Sequence, residues 1–184
     1  MSEPVKVAEN EVACPVCGQK ALVEDYVHNI PHYGDILISV LTCSKCGFKK
    51  RDVGTLSIGD PRKIIYKVEK PGDERALLIR AGGSKVLIPE FNIEIFPGPF
   101  SQGFITTIEG LIIDLIEKTS FLCETGEVNE SECNRVLELL NKAKDGLVEY
   151  TIIIEDYPGK SDIISNKTRY VRIEEEEEGG SPGD

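Results

Sequence analysis

A mainly β fold, with a small metal-organised ribbon at its start and one helical hairpin set into a β body, is predicted by three observations. Two Cys-x-x-Cys-Gly motifs, Cys14-Pro-Val-Cys17-Gly18 and Cys43-Ser-Lys-Cys46-Gly47, stand twenty-five residues apart. Short runs rich in β-branched residues alternate with Gly/Pro turns over most of the remaining chain. A single window, from Thr106 to Gly146, changes to helical period.

Taken in order, residues 1–11 are polar and are expected to be a flexible N-terminus. Residues 12–58 form the ribbon. Each Cys-x-x-Cys turn offers two sulfurs from one tight loop, and the glycine that follows lets the backbone curl around an ion. Four thiolates select zinc or iron–sulfur chemistry over hard cations, and zinc fits best. Cys14, Cys17, Cys43 and Cys46 are therefore the predicted ligands of one zinc ion. Four protein sulfurs close the coordination sphere, so the site is structural. Between the motifs, Ala21–Tyr26 and Ile36–Thr42 read as strands, with a turn at Ile30-Pro31-His32-Tyr33-Gly34.

Residues 59–173 form the body. Strands are predicted at Lys63–Val68, Arg75–Arg80, Lys85–Ile88 and Ile93–Phe96. Thr106 and Glu109 stand at capping-box spacing, and Ile108, Leu111, Ile112, Leu115 and Ile116 follow at helical intervals, so a helix runs over about 107–121. A second helix starts near Asn129, carries Val136, Leu137, Leu140 and Ala143 on one stripe, and stops at Gly146. The two make an αα-hairpin over about 107–145. Strands resume at Leu147–Ile154, Asp162–Ser165 and Thr168–Ile173. The closely spaced strand signals imply an antiparallel sandwich or barrel. Residues 174–184 begin with five glutamates and end in Gly-Gly-Ser-Pro-Gly-Asp, an acidic disordered tail.

Composition excludes several functions. The chain has 184 residues, 40% of them hydrophobic, and a net charge of −11. No apolar run approaches the roughly 20 residues a membrane span needs. Met1–Lys6 has no basic or apolar signal pattern, so the expected compartment is cytoplasmic and the paired cysteines read as metal ligands rather than disulfides. Charge is uneven: +1 over residues 1–70 and −12 over the rest. An acidic body repels phosphate backbones and suits a protein partner better than nucleic acid. His28 and His32 are the only histidines. With none after His32, the body cannot build a two-histidine–carboxylate metal triad or a Ser–His or Cys–His pair. No Gly-rich phosphate loop with a following Lys-Ser/Thr is present. An enzyme is therefore not expected.

Other residues admit two readings each. Cys123 and Cys133 flank the link between the helices; buried free thiols are the default, with a disulfide clip as the alternative. His32, with Tyr33, either shapes the Pro31 turn or touches a partner. Lys45, Lys49, Lys50 and Arg51 are either a solvated face or a docking patch for an acidic protein or RNA. Thr106, Thr107 and Glu109 are explained by helix capping rather than catalysis. Phe104 is a candidate exposed anchor.

Several stretches together resemble the ZPR family of zinc-finger proteins. In the ribbon these are Ile30–Asp35 and Thr42–Phe48. In the body they are Leu87-Ile88-Pro89-Glu90-Phe91-Asn92-Ile93-Glu94-Ile95, Gly103-Phe104-Ile105-Thr106-Thr107-Ile108-Glu109-Gly110-Leu111, Asp156-Tyr157-Pro158-Gly159-Lys160-Ser161 and Tyr170-Val171-Arg172. The resemblance covers about residues 12–173. It implies a zinc ribbon joined to a double-stranded β-helix that carries a helical hairpin. Eukaryotic members have this module twice; the present chain has it once, like a single-module, archaeal-type member. The resemblance also implies a partner, the translation elongation GTPase that delivers aminoacyl-tRNA, and a role in its folding or nucleotide state. An RNA- or DNA-binding zinc ribbon is the competing expectation.

Overall fold

The first sheet grows directly from the two cysteine knuckles. In the computed structural model, which describes residues 3–30, 34–56, 59–98, 100–125 and 129–173, four strands run antiparallel in chain order: β1 (Val5–Ala13), β2 (Lys20–Ile30), β3 (Gly34–Thr42) and β4 (Lys49–Thr55). The knuckles are the β1–β2 and β3–β4 turns, so both lie at one end of the sheet. The turn predicted at 30–34, with His32 and Tyr33, joins β2 to β3 at the other end; residues 31–33 lie outside the described residues, as does the acidic tail.

β1 corrects the expectation of a flexible N-terminus. From Val5 onward the segment pairs with β2, from Val5↔Val27 to Ala13↔Lys20, with an irregularity between Lys6 and Ala8. It is an edge strand exposed along almost its whole length, so it lacks the apolar alternation by which a half-buried strand is recognised. Charge takes the place of burial. Lys6 pairs with Glu9 and Glu24, and Lys20 with Glu11. Charged residues and an irregular register are also what keep an open edge from pairing with other chains.

Among the described residues, eight further strands form two sheets. β5 (Arg62–Val68), β7 (Lys85–Ile88), β8 (Ile93–Ile95), β10 (Tyr150–Asp156) and β12 (Arg169–Arg172) assemble in the order β12-β5-β10-β7-β8; β6 (Leu77–Arg80), β9 (Phe104–Thr107) and β11 (Asp162–Ile164) assemble as β11-β6-β9. Alternation sets the inward faces: Ile64, Tyr66 and Val68 on β5, and Tyr150, Ile152 and Ile154 on β10. These join Leu78, Val86, Ile88 and Ile163 in one core. Each fully buried Ile or Leu there is stabilised by about 1.5–3 kcal/mol. The strand expected at Arg75–Arg80 begins only at Leu77, because Asp73–Arg75 form a single 3-10 turn.

The hairpin consists of α1 (Ile108–Glu124) and α2 (Glu130–Lys144). Ile108, Leu111, Ile112 and Leu115 of α1 and Leu140 and Ala143 of α2 enter the same core as the sheets. The capping box expected from Thr106 and Glu109 is not formed. Thr107 is the N-cap, and its hydroxyl accepts from the N–H of Gly110 at 3.0 Å. Thr106 instead pairs with Leu78 as part of β9. Asn129 caps α2 through Ser131, as its position predicts. Cys123 and Cys133 form a disulfide, so the default of free thiols gives way to the clip. Among the described residues no helix is long and apolar enough to cross a membrane.

Candidate metal centre and ribbon–body junction

The two knuckles are copies of one backbone device. The N–H of Gly18 donates to the carbonyl of Cys14 at 2.9 Å, and that of Gly47 to Cys43 at 3.0 Å. The N–H of Cys14 donates to Gln19 and that of Cys43 to Phe48, closing each loop. Gly18 and Gly47 have φ of 70° and 75°, the left-handed conformation that glycine adopts without cost.

The device brings four sulfurs together. The Sγ atoms of Cys14, Cys17, Cys43 and Cys46 all lie within 4.8 Å of one another. Cys14 and Cys46 are 3.7 Å apart, as are Cys17 and Cys43. Sulfurs about 2.3 Å from a tetrahedral zinc would be separated by about 3.8 Å, so the donor set fits that ion. Cys14 and Cys43 are buried and pack with Ala21 against Leu41 and Phe48, whereas Cys17 and Cys46 are exposed. The backbone N–H of Cys46, opposed by burial and joined by the N–H of Lys45, pulls the Cys43 thiol down to about 6. That favours the thiolate at Cys43 alone, since the neighbouring sulfurs push Cys17 and Cys46 upward in the absence of an ion. His28 stands eight residues along β2 from Lys20, roughly 26 Å from the knuckle end at strand rise. It is no ligand.

β4 lies against the body, and its alternation divides the basic cluster expected there. Phe48, just before the strand, meets Phe100 edge-on at 5.4 Å between ring centroids. Asp52 Oδ1 accepts from three backbone donors: Val53 at 3.1 Å, Gly82 at 3.0 Å and Gly103 at 2.9 Å. Gly54 packs on Lys160, and the N–H of Thr55 donates to the Lys160 carbonyl at 2.9 Å. Even-numbered positions thus face the body. Lys50 shares their parity and is half-buried, whereas Lys49 and Arg51 point to the other face and are exposed. Gly103, which opens the Gly-Phe-Ile-Thr-Thr run, has no room for a side chain: a Cβ would lie 2.3 Å from Asp52 Oδ1 and 2.6 Å from Val53 backbone atoms. Asp52 carried no sequence signal, since a lone aspartate beside Arg51 reads as a surface charge.

Phe104 is corrected from exposed to half-buried. It packs against the core, and the Arg80 guanidinium lies 5.6 Å from its ring centroid. It also lines a cavity of about 320 Å³ with Ile105, Thr106, Leu111, Asp114 and Lys118. Beneath it is a polar cluster that sequence reasoning missed. Asp156, fully buried, accepts from Ser84 Oγ at 3.2 Å and from the N–H of Ser161 at 2.7 Å. Arg80 donates to the Ser84 carbonyl at 2.8 Å. These contacts orient the loops beside β4.

Residues 6–57 match the ZPR1 zinc-finger domain, and residues 73–178 match the ZPR1 jelly-roll domain. The chain belongs to the ZPR1 family. Its eight body strands in two sheets are the strand count of a jelly roll. A ZPR1-like protein of Methanocaldococcus jannaschii is 33% identical over 168 residues, covering 89% of this chain and 85% of the relative. A ZPR1-like protein of Pyrococcus horikoshii is 27% identical over 184 residues, covering 95% and 82%. The zinc finger chaperone zpr1 of Schizosaccharomyces pombe is 29% identical over 161 residues, which are 84% of this chain and only 34% of the fungal protein. As in the ZPR1 zinc-finger domain, the four cysteines are the ligands of one structural zinc ion. They supply a closed thiolate sphere that holds the ribbon in shape.

Proposed function

We propose that this chain is a non-catalytic, cytoplasmic protein-interaction module that binds the translation elongation GTPase delivering aminoacyl-tRNA and assists its folding or controls its nucleotide state. The observation that supports the reading is the Asp52 junction, which fixes the zinc-stapled ribbon against the β body so that the two could meet a partner together. Lys49 and Arg51 on the outer face of β4 are contact candidates, with Phe104 at the body cavity and with His32 and Tyr33, which lie outside the described residues. The word chaperone in the name of the fungal relative supports the role. Residues 71–184, body and acidic tail together, carry −12, which favours a basic partner surface, so the association should weaken as salt rises.

The test is titration calorimetry with the purified elongation GTPase in its GDP and GTP forms, together with refolding of that GTPase in the presence of this protein. Saturable binding to one form, or a raised refolding yield, supports the reading. No association in any of the three experiments overturns it. The second reading, an RNA-binding ribbon, is favoured by the exposed Lys45, Lys49 and Arg51 beside the second knuckle. It requires RNA retention at low salt with a steep salt dependence.

A further inference from the structure

The distal half of the helical hairpin has almost no core of its own. Between Ile116 and Leu139, Cys133 is the one buried residue among those described. Phe121 and Leu122 stand 66% and 52% exposed. The ion pairs along the helices, Asp114–Lys118, Glu132–Arg135 and Glu138–Lys142, are exposed and local to one helix each, so they hold neither helix to the other. What joins the last turn of α1 to the first turn of α2 is the Cys123–Cys133 disulfide, with its Cα atoms 5.9 Å apart.

We propose that this disulfide is a redox-modifiable clasp that takes the place of a hydrophobic core at the hairpin tip, and that Cys123 is the sulfur through which a dithiol reductant opens it. Cys133 is only 5% exposed, whereas Cys123 is half-exposed, so access favours Cys123. A thiolate of the reductant attacks Cys123 Sγ; the Cys123–Cys133 bond breaks, and Cys133 leaves as a thiolate that takes up a proton. The second thiol of the reductant then closes on the first and releases Cys123. Two electrons pass to the protein, and the reductant is left as its own disulfide. The ribbon cysteines lie in the knuckle turns of the first sheet, apart from the hairpin, and are committed to zinc. Opening the clasp therefore frays the tip, with Phe121 and Leu122, while the zinc and the hairpin base remain in place. The two cysteines are 10 residues apart in sequence, and a loop that short places only a modest restraint on the unfolded chain, so the clasp acts chiefly on the folded tip.

The experiment has two stages on the full chain. Denaturation and alkylation without reductant, read by intact mass, should modify four cysteines; six modified cysteines would overturn the proposal. Hydrogen exchange by mass spectrometry then compares the untreated chain with the Cys123→Ser/Cys133→Ser variant. Amides in 116–139 should exchange at least ten-fold faster in the variant, with Tm lowered by roughly 5–10 °C and zinc content unchanged. Equal exchange in the two proteins overturns it. Should the variant fail to fold, reduction of the wild-type chain by dithiothreitol in zinc-containing buffer supplies the same comparison, and reoxidation should restore the protection.

Discussion

At the scale of single residues, the most consequential side chains are the four ligands, Asp52 and the Asp73–Lys167 pair. Cys14→Ser or Cys43→Ser removes a buried ligand; zinc stoichiometry should fall from one to near zero and the ribbon should unfold, as a colorimetric zinc assay and circular dichroism would show. Asp52→Ala strips the backbone donors of Gly82 and Gly103 of their acceptor. Denaturant titration should show a loss of about 2–4 kcal/mol while zinc content stays at one, which separates the junction from the metal. Asp73 sets the turn before β6. Lys167 donates to its carboxylate at 2.6 Å and, with the N–H of Glu69, holds it below the ordinary carboxylate range despite burial. The same bond raises Lys167 above its usual value. A depressed carboxyl stabilises the fold above the unfolded pKa of about 3.9 and loses that stabilisation as pH falls through its lower folded value. Stability should therefore decline below about pH 4, and less steeply in Lys167→Met, whose Asp73 titrates closer to normal. Urea midpoints of the two proteins between pH 2 and 7 check this. The metal ligands were legible at this scale because their spacing is itself the chemistry. Asp52, Arg80 and Asp156 were not, since their roles depend on loops distant in sequence.

Elements were legible to the extent that each exposes one face and buries another. β5, β10 and the two helices show clear period and were predicted within a few residues. β1 and β4 were missed because each is held by pairing and by single polar contacts rather than by an apolar stripe. β9 was hidden inside a motif whose threonines read as capping residues. Only the packed geometry shows that Thr107, one position later, caps α1. The same distinction predicts which helix positions matter. Leu140 is fully buried against the sheets, whereas Leu122 is 52% exposed at the tip. Leu140→Ala should cost about 2–5 kcal/mol by chemical denaturation, and Leu122→Ala less than about 0.5.

Across the whole molecule, the zinc acts as a staple, and under the proposed function the β body supplies the larger part of the binding surface. The metal keeps two knuckles together at one end of a four-stranded sheet. The strand after the second knuckle then lies along the body, fixed at Phe48, Asp52, Gly54 and Thr55. The arrangement accounts for the glycine at 103 and for the division of the basic cluster between two faces. It also explains why the cysteine pairs alone, which are found in many folds, point to so little: what they organise is read from its contact with the body. The central claim is that ribbon and body act as one docking surface for the elongation GTPase. Hydrogen-exchange footprinting of the purified complex tests it most directly. The account predicts slowed exchange on binding in both the ribbon around residues 43–51 and the body around 100–106, with the β12 edge unchanged. Protection confined to one of the two regions, or no protection in either, would contradict it.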